Sequence, residues 1–402
     1  MVSPKEAATR DHLEAIWRAG VEACKAERVV PGRLPTPPRG RTILLAIGKA
    51  AAPMARVVEQ AWPGPLSGVA VVPRGTEETL ERVEPIAASH PVPDPSSVAA
   101  AERLLELARG AAADDLVLVL LSGGASALAC LPGKGLSLDE KSALTAALLR
   151  SGAAIGEINC VRRHLSRIKG GRLALAAAPA RVVTLAISDV AGDAPHDIGS
   201  GPTVGDPTTI ADAKKVLARY GVAAPEGGWS ETPDAVQGEF GLLASGWIAL
   251  AAAADEARRL GFEVRLADGE GEAREVGRAH AEIAKGLPPG TALISAGELT
   301  VRMRGDGRGG PNQEYALAAA VALRGRQGIK GLAADTDGID GASEAAGAFF
   351  DGSTAAPGAE AALEDNDSAP FLASRDALFV TGPTGTNVND LRIILTGLGG
   401  EG

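Results

Sequence analysis

Ser122, Gly123, Gly124, Ala125 and Ser126 follow the aliphatic run 116–121 and precede a stretch rich in alanine and leucine. That order predicts a strand, a tight turn and a helix, so backbone N–H groups gather where the helix begins. Glycines without a Cβ let an anion approach the chain, serine hydroxyls add donors, and the helix N-terminus adds partial positive charge. The chemistry this implies is the holding of a phosphate. A single loop of this kind also describes a plain turn in an α/β sheet; here several occur. Ile47, Gly48, Lys49 and Ala50 again join an aliphatic run to a helical stretch, and they set an ammonium where the helix dipole disfavours one. A bound anion resolves that conflict, as would a lysine turned out to solvent.

Further along, residues 157–171 carry Arg162, Arg163, His164, Arg167 and Lys169 in a segment of helical spacing ending in Gly170 and Gly171. Arg163 and Arg167 share a helix face, which is either a solvated surface or a cluster facing a substrate; His164 reads as a hydrogen-bonded structural residue. Ser188, Asp189 and Asp193 follow the run 182–187, which places Asp189 at the carboxyl end of a strand, where sites of open α/β sheets lie. Carboxylates there suit Mg²⁺ or a general base, or cap a loop. Gly305, Gly307 and Gly310 fit G-x-G-x-x-G, with Arg308 and Gly309 inside the motif and a helix starting at Pro311, which is the pattern of a dinucleotide site. Arg302 and Arg304 before it argue against a buried strand of that kind, and Arg308 could instead clamp phosphate. Residues 381–390, with Thr386 and Asn387, form another polar loop after a strand. Neither G-x-x-x-x-G-K-[ST] nor H-E-x-x-H occurs, which removes the commonest NTPase and zinc-protease readings.

The elements that must position these loops alternate in type. Runs 42–47, 68–72, 116–121 and 182–187 are apolar on both faces, as strands of a helix-covered parallel sheet are, with helices predicted from Lys49, Ser96, Ala125, Leu138 and Thr208. The fold class is therefore α/β: a doubly wound, Rossmann-like N-terminal domain and a smaller C-terminal α/β domain. Composition shifts to Pro, Gly, Glu and Ser over 222–238, which sets the domains at 1–238 and 239–402. The second contains strands at 262–266, 292–296, 299–304, 332–334, 378–381 and 393–395. Alternation of polar and apolar residues over 298–304 predicts a mixed sheet.

The chain of 402 residues has 45% hydrophobic and 22% charged residues and a net charge of -10. Its acidity argues against nucleic acid and acidic lipid as partners. Cys24, Cys130 and Cys160 lack metal-ligand spacing and read as buried thiols of a reducing compartment. The polar start, residues 1–10, has no apolar core of a secretion signal, and no apolar run spans a bilayer, so a cytoplasmic location is expected.

Taken together and in order, Ile47-Gly48-Lys49-Ala50, Leu121-Ser122-Gly123-Gly124, residues 159–171, Ser188-Asp189-Val190, Ser200-Gly201-Pro202-Thr203, residues 307–314, Asp335-Thr336-Asp337-Gly338-Ile339-Asp340-Gly341 and residues 381–390 resemble the type II glycerate 2-kinases, the MOFRL family. The resemblance covers nearly the whole chain. It implies a site in the cleft between the two domains and transfer of the ATP γ-phosphoryl group to the 2-hydroxyl of D-glycerate, giving 2-phosphoglycerate and ADP. Some relatives are labelled hydroxypyruvate reductases, so an NAD(P)H-dependent reductase is the alternative. On this reading Ser122, Gly123, Gly124, Ser126, Gly307, Gly309, Gly310, Asn312, Thr386 and Asn387 hold the nucleotide, and Lys49 and Arg308 meet the charge of the transferred phosphoryl. Asp189 binds Mg²⁺, with Asp193, or takes the hydroxyl proton; Arg163 or Lys169 binds the glycerate carboxylate. The oligomeric state is left open, a homodimer among the states allowed.

Overall fold

The computed structural model describes residues 4–397. The chain divides into two compact units, one running from Ala26 to Leu243, the other combining the chain up to Lys25 with that from Ala244 onward.

In the first unit the strands are β1 (Thr42–Ile47), β2 (Leu66–Pro73), β3 (Val83–Ala88), β4 (Leu116–Leu121), β5 (Arg181–Ile187) and β6 (Glu239–Ala244). They form one sheet in the order β3-β2-β1-β4-β5-β6, and every pairing among β1 to β5 is parallel. Every residue of β1 and β4 is buried, because helices cover both faces; hence the unbroken aliphatic runs. Leu45, Ile47, Val117, Val119 and Leu121 form a core with Leu104 and Leu105 of the helix Pro95–Arg109. Each such side chain is worth about 1.5–3 kcal/mol when fully buried. That helix opens on Asp94, whose carboxylate accepts from Ser96 N and whose partner Ser97 completes a capping box. Ser137 does the same for the helix Leu138–Arg150, and Thr209 for Ile210–Arg219.

Two expectations are revised here. The helix after Gly124 is a single turn, Ala125–Leu128, since Pro132 and Gly133 stop it before Ser137 starts the next. Strand β6 lies beyond the Pro- and Gly-rich stretch, so the first unit extends to Leu243 rather than ending at 238.

In the second unit β7 (Glu263–Leu266), β9 (Thr291–Gly297), β11 (Ile329–Asp335), β12 (Gly347–Asp351), β13 (Leu378–Phe379) and β14 (Asp390–Thr396) form a sheet of order β13-β12-β11-β14-β9-β7, while β8 (Gly271–Glu272) and β10 (Leu299–Thr300) make a separate pair. The large sheet is mixed: β7 and β9 are parallel and the other pairings antiparallel. The strand expected over 299–304 stops at Thr300, because Arg302, Met303 and Arg304 are exposed and find no ladder. The helix Pro4–Ala23 belongs to this unit, not to the N-terminal domain. Its stripe of Leu13, Ile16, Trp17 and Val21 packs with Ile294, Leu332 and Leu391; the Trp17 indole lies edge-on to Phe379 with ring centres 5.1 Å apart. Among the described residues no helix is long and apolar enough to cross a membrane.

Candidate active site

The strand order of the first sheet reverses between β1 and β4: the chain builds outward from β1 to β3, then crosses over to β4. The loops leaving the carboxyl ends of β1 and β4 thus stand at the topological switch point, the usual ligand position in such sheets. Gly48 and Lys49 leave β1, and Ser122, Gly123 and Gly124 leave β4. The two loops are bonded to each other: Lys49 N donates to Gly123 O at 2.9 Å, Ser122 N to Ile47 O at 3.0 Å, and Ala50 N to Ser122 Oγ at 3.0 Å. Gly48, at φ +134°, has no room for a side chain, since a Cβ there would lie 2.1 Å from Ser122 Oγ. Lys49 is half-buried beside this turn, and the helix Ala51–Ala61 begins just after it.

The expected hydroxyl donors are engaged within the protein. Ser122 Oγ receives Ala50 N, and Ser126 Oγ lies 2.9 Å from Ser200 Oγ. The backbone N–H groups of Gly123, Gly124 and Ser126 donate to no group among the described residues; Gly123 is buried, Gly124 and Ser126 half-buried. With a helix of one turn, the capacity to hold an anion comes from these amides rather than from a macrodipole.

Arg163 and Lys169 are placed inward. The Arg163 side chain is 1% exposed; its NH1 is 2.9 Å from Asp197 Oδ1 and its Nε 2.9 Å from Asp206 Oδ2. Burial pushes the Asp206 carboxyl up, but hydrogen bonds from Thr208 and the charge of Arg163 outweigh it, and the pKa is lowered. His164 stacks its ring nitrogens against Thr208 Oγ1 at 3.2 Å and Ser230 O at 3.3 Å, and burial lowers its pKa. Lys169 Nζ donates to Ser126 O at 2.8 Å and Ala129 O at 3.2 Å, closing the end of the one-turn helix. Burial, with Lys141 and Arg162 adding to it against the opposing effect of Cys130, lowers its pKa to about 7. Asn159 joins the same network by accepting from Ser200 Oγ at 3.1 Å and donating to Asp197.

Asp189 is half-buried just past β5, the strand next to β4. Asp193 sits at φ +53° in the turn that follows. No group of three or more His, Cys, Asp or Glu that could hold a metal ion occurs among the described residues. One or two carboxylates fit a Mg²⁺ ion that also takes oxygens from a substrate phosphate, the usual arrangement for that ion.

In the second unit the glycine loop is occupied by its own chain. A Cβ on Gly307 would lie 2.5 Å from Asp365 O, on Gly309 2.2 Å from Ser368 Oγ, and on Gly310 2.3 Å from Asp340 Cγ. Arg308 N donates to Asp367 Oδ1 at 2.9 Å while its side chain is exposed. Asn366 Oδ1 accepts from Arg304 N at 2.6 Å, and its amide reaches Glu314 Oε2 at 2.9 Å; Glu314 in turn pairs with Arg274. The glycines thus serve close contact with residues 365–368 and 340, which removes the reason to read them as a dinucleotide cradle.

Asp340 does what a bound anion would do at the helix Pro311–Ala322. It accepts Asn312 N at 3.0 Å and Gln313 N at 2.8 Å. Asn312 is fully buried and its Nδ2 bridges Asp340 Oδ1 at 3.2 Å and Asp390 Oδ1 at 2.6 Å. Asp390 starts β14 directly opposite Asp335 and Gly297; it also receives Leu299 N and, at 3.4 Å, Arg392. Thr386 Oγ1 donates to Cys24 O at 2.9 Å, and Asn387 Oδ1 accepts Asn389 N at 3.1 Å, so both shape their loop. The sequence assigns a site role to Asn312 but none to its partners Asp340 and Asp390, although both lie in motifs that carry the family resemblance, and none to His90, whose ring lies against Gly124.

Residues 291–390 match the MOFRL family, and residues 12–228 match a domain of unknown function, DUF4147. A D-glycerate 2-kinase of Thermotoga maritima is 43% identical over 94% of this chain and 96% of its own. The chain belongs to the MOFRL family of type II glycerate 2-kinases. A protein of Agrobacterium vitis with the provisional name hydroxypyruvate reductase is 46% identical over 98% of this chain and 95% of its own. Among solved structures, a glycerate kinase from Thermotoga maritima aligns with a TM-score of 0.88 at 42% identity, covering 97% of this chain and all of that one.

Proposed function

We propose that the protein phosphorylates the 2-hydroxyl of D-glycerate with ATP in the cytoplasm, giving 2-phosphoglycerate and ADP. The observation that carries this reading is the paired loops at the reversal point of the first sheet, where Lys49 stands beside the amides of Gly123, Gly124 and Ser126, which donate to no group among the described residues. Phosphoryl transfer needs positioning and neutralisation of charge more than covalent chemistry by the protein. Lys49 and these amides hold phosphate oxygens, and Arg308, on an exposed loop, carries further charge. Asp189 orients the glycerate hydroxyl or, with Asp193, holds Mg²⁺, which when bound neutralises phosphate charge. Arg163 and Lys169 support this site from beneath: Arg163 fixes Asp197 and Asp206, and Lys169 fixes the carbonyl of Ser126.

The test is purified protein with ATP, Mg²⁺ and D-glycerate, the product read by coupling to enolase. Exclusive formation of 3-phosphoglycerate, or no ADP above background, refutes the proposal. The reductase reading is favoured by the names of Agrobacterium relatives and is opposed by the filled glycine loop. NADH oxidation with hydroxypyruvate at a rate comparable to the kinase rate would reverse the choice.

A further inference from the structure

We infer that Ser200 is a positioning residue for the transfer: it takes up the hydroxyl proton of Ser126, so that Ser126 meets a hydroxyl of D-glycerate as a hydrogen-bond acceptor. The inference rests on the kinase reading and gives a role to the Ser200-Gly201-Pro202-Thr203 motif. Ser200 is fully buried and sits at φ +61° between Gly199 and Gly201, both at φ +59°. A left-handed conformation is costly for a residue with a Cβ and persists only where the surroundings fix it. Here Gly170 N donates to Ser200 O at 3.2 Å and Gly171 N to Gly201 O at 2.8 Å. The turn so held sets the Ser200 hydroxyl 2.9 Å from Ser126 Oγ and 3.1 Å from Asn159 Oδ1.

The direction of every hydrogen bond in this row is settled at its far end. Asp197 turns two acceptors to Asn159, its carbonyl oxygen at 3.4 Å and Oδ1 at 3.3 Å from Asn159 Nδ2, and Oδ1 also accepts from Arg163 NH1 at 2.9 Å. The Asn159 NH₂ must therefore point at Asp197. Asn159 Oδ1 is left facing Ser200, and it accepts from Arg162 NH1 at 3.3 Å as well, a donor that a reversed amide would repel. Ser200 has one proton, and Asn159 takes it. Between Ser200 and Ser126 the donor is then Ser126, whose side chain has no other hydrogen-bond partner among the described residues. Ser126 is half-buried in the single turn that follows β4, and with its proton committed it offers an incoming molecule only lone pairs. The oxygens of an ionised triphosphate are acceptors too, and two acceptors repel. A hydroxyl of glycerate brings the proton that such a contact requires.

The test is steady-state kinetics on the full-length protein, with D-glycerate and ATP varied in turn. Ser126→Ala should raise KM for D-glycerate by about 5–10-fold, the scale of one hydrogen bond, with KM for ATP unchanged. Ser200→Gly should raise the same KM by a similar factor, and the double variant should stay within about twofold of Ser126→Ala, because Ser200 acts through Ser126. Glycine adopts φ +61° without strain, so the melting temperature of Ser200→Gly should stay within about 2–4 °C of the parent while its KM rises; a merely structural role would move both together. A rise in KM for ATP in Ser126→Ala, or a KM for D-glycerate within about twofold of the parent, overturns the inference and leaves the kinase reading standing. Additive losses in the double variant overturn the action of Ser200 through Ser126. A wild type that does not phosphorylate D-glycerate refutes the kinase reading and the inference with it. Should Ser200→Gly fail to fold, the two KM values of Ser126→Ala decide.

Discussion

Asp340→Asn isolates one buried charge at the second unit's polar centre. Asp340 is 1% exposed, and burial, with the charge of Asp390 adding to it, pushes its pKa up from 3.8 to about 7 against the hydrogen bonds from Asn312 and Gln313. That is a shift of about three units, and at roughly 1.4 kcal/mol per unit it amounts to about 4 kcal/mol. The folded protein holds the proton more tightly than the unfolded chain, so between about pH 4 and pH 7 it binds more protons, and stability falls as pH rises. This contribution is complete below the unfolded value and is lost as pH rises through about 7. Asparagine cannot titrate. It also turns an amide N–H toward Gln313 N or Asn312 N, a conflict that costs about 1–3 kcal/mol at every pH. Urea unfolding of both proteins from about pH 4.5 to pH 8 separates the two effects: the variant starts less stable, and the difference should move in its favour by several kcal/mol, toward about 4, across the range. A difference constant to within about 1 kcal/mol refutes the argument that Asp340 bears its charge at a cost.

Lys49→Ala should leave the melting profile intact and lower turnover by roughly 10²–10³, or about 2.7–4 kcal/mol, as for one electrostatic stabiliser; kinetics within a few-fold of the parent return Lys49 to a solvated role. Lys169→Met tests the buried ammonium, whose pKa falls from 10.5 to about 7. The charged form is costly below pH 7 and that cost is shed as pH rises toward 10.5, so wild-type stability should gain up to about 5 kcal/mol from this group over that window, and the variant should lack the gain in chemical unfolding. Gly310→Ala sets a Cβ against Asp340 and should destabilise the protein by about 1–3 kcal/mol, measured by calorimetry, with no change in any affinity for NADH.

The parts of the fold that could be read from the sequence are those where burial is two-sided. Strands β1 and β4 announce themselves as TILLAI and LVLVLL. Strand β3, VEPIAA, escapes notice because an edge strand carries Glu84 and Pro85. Arg302 to Arg304 mimic strand alternation with no partner strand to pair with. At the site, Lys49 and the Ser122 loop are legible because local strand-to-turn signals mark them. Arg163 and Lys169 have visible charge, but the groups they meet, Asp197, Asp206 and the carbonyl of Ser126, come from distant positions that helical spacing cannot supply. His90 reads as part of a proline turn, and only the order of the strands brings it to Gly124.

The position of the helix Pro4–Ala23 has a consequence for how the protein is made. Its apolar stripe leaves the ribosome before the unit from Ala26 to Leu243, yet Ile294, Leu332 and Leu391, which cover it, are made after that unit. At roughly 5–20 residues per second, Leu13, Ile16, Trp17 and Val21 wait some tens of seconds for their sheet while the whole unit from Ala26 to Leu243 is translated and folds between them. The nascent chain therefore carries the apolar stripe of this helix without its covering sheet while that unit is made, a natural ligand for a holding chaperone, and a product truncated before Ile294 would keep that surface exposed.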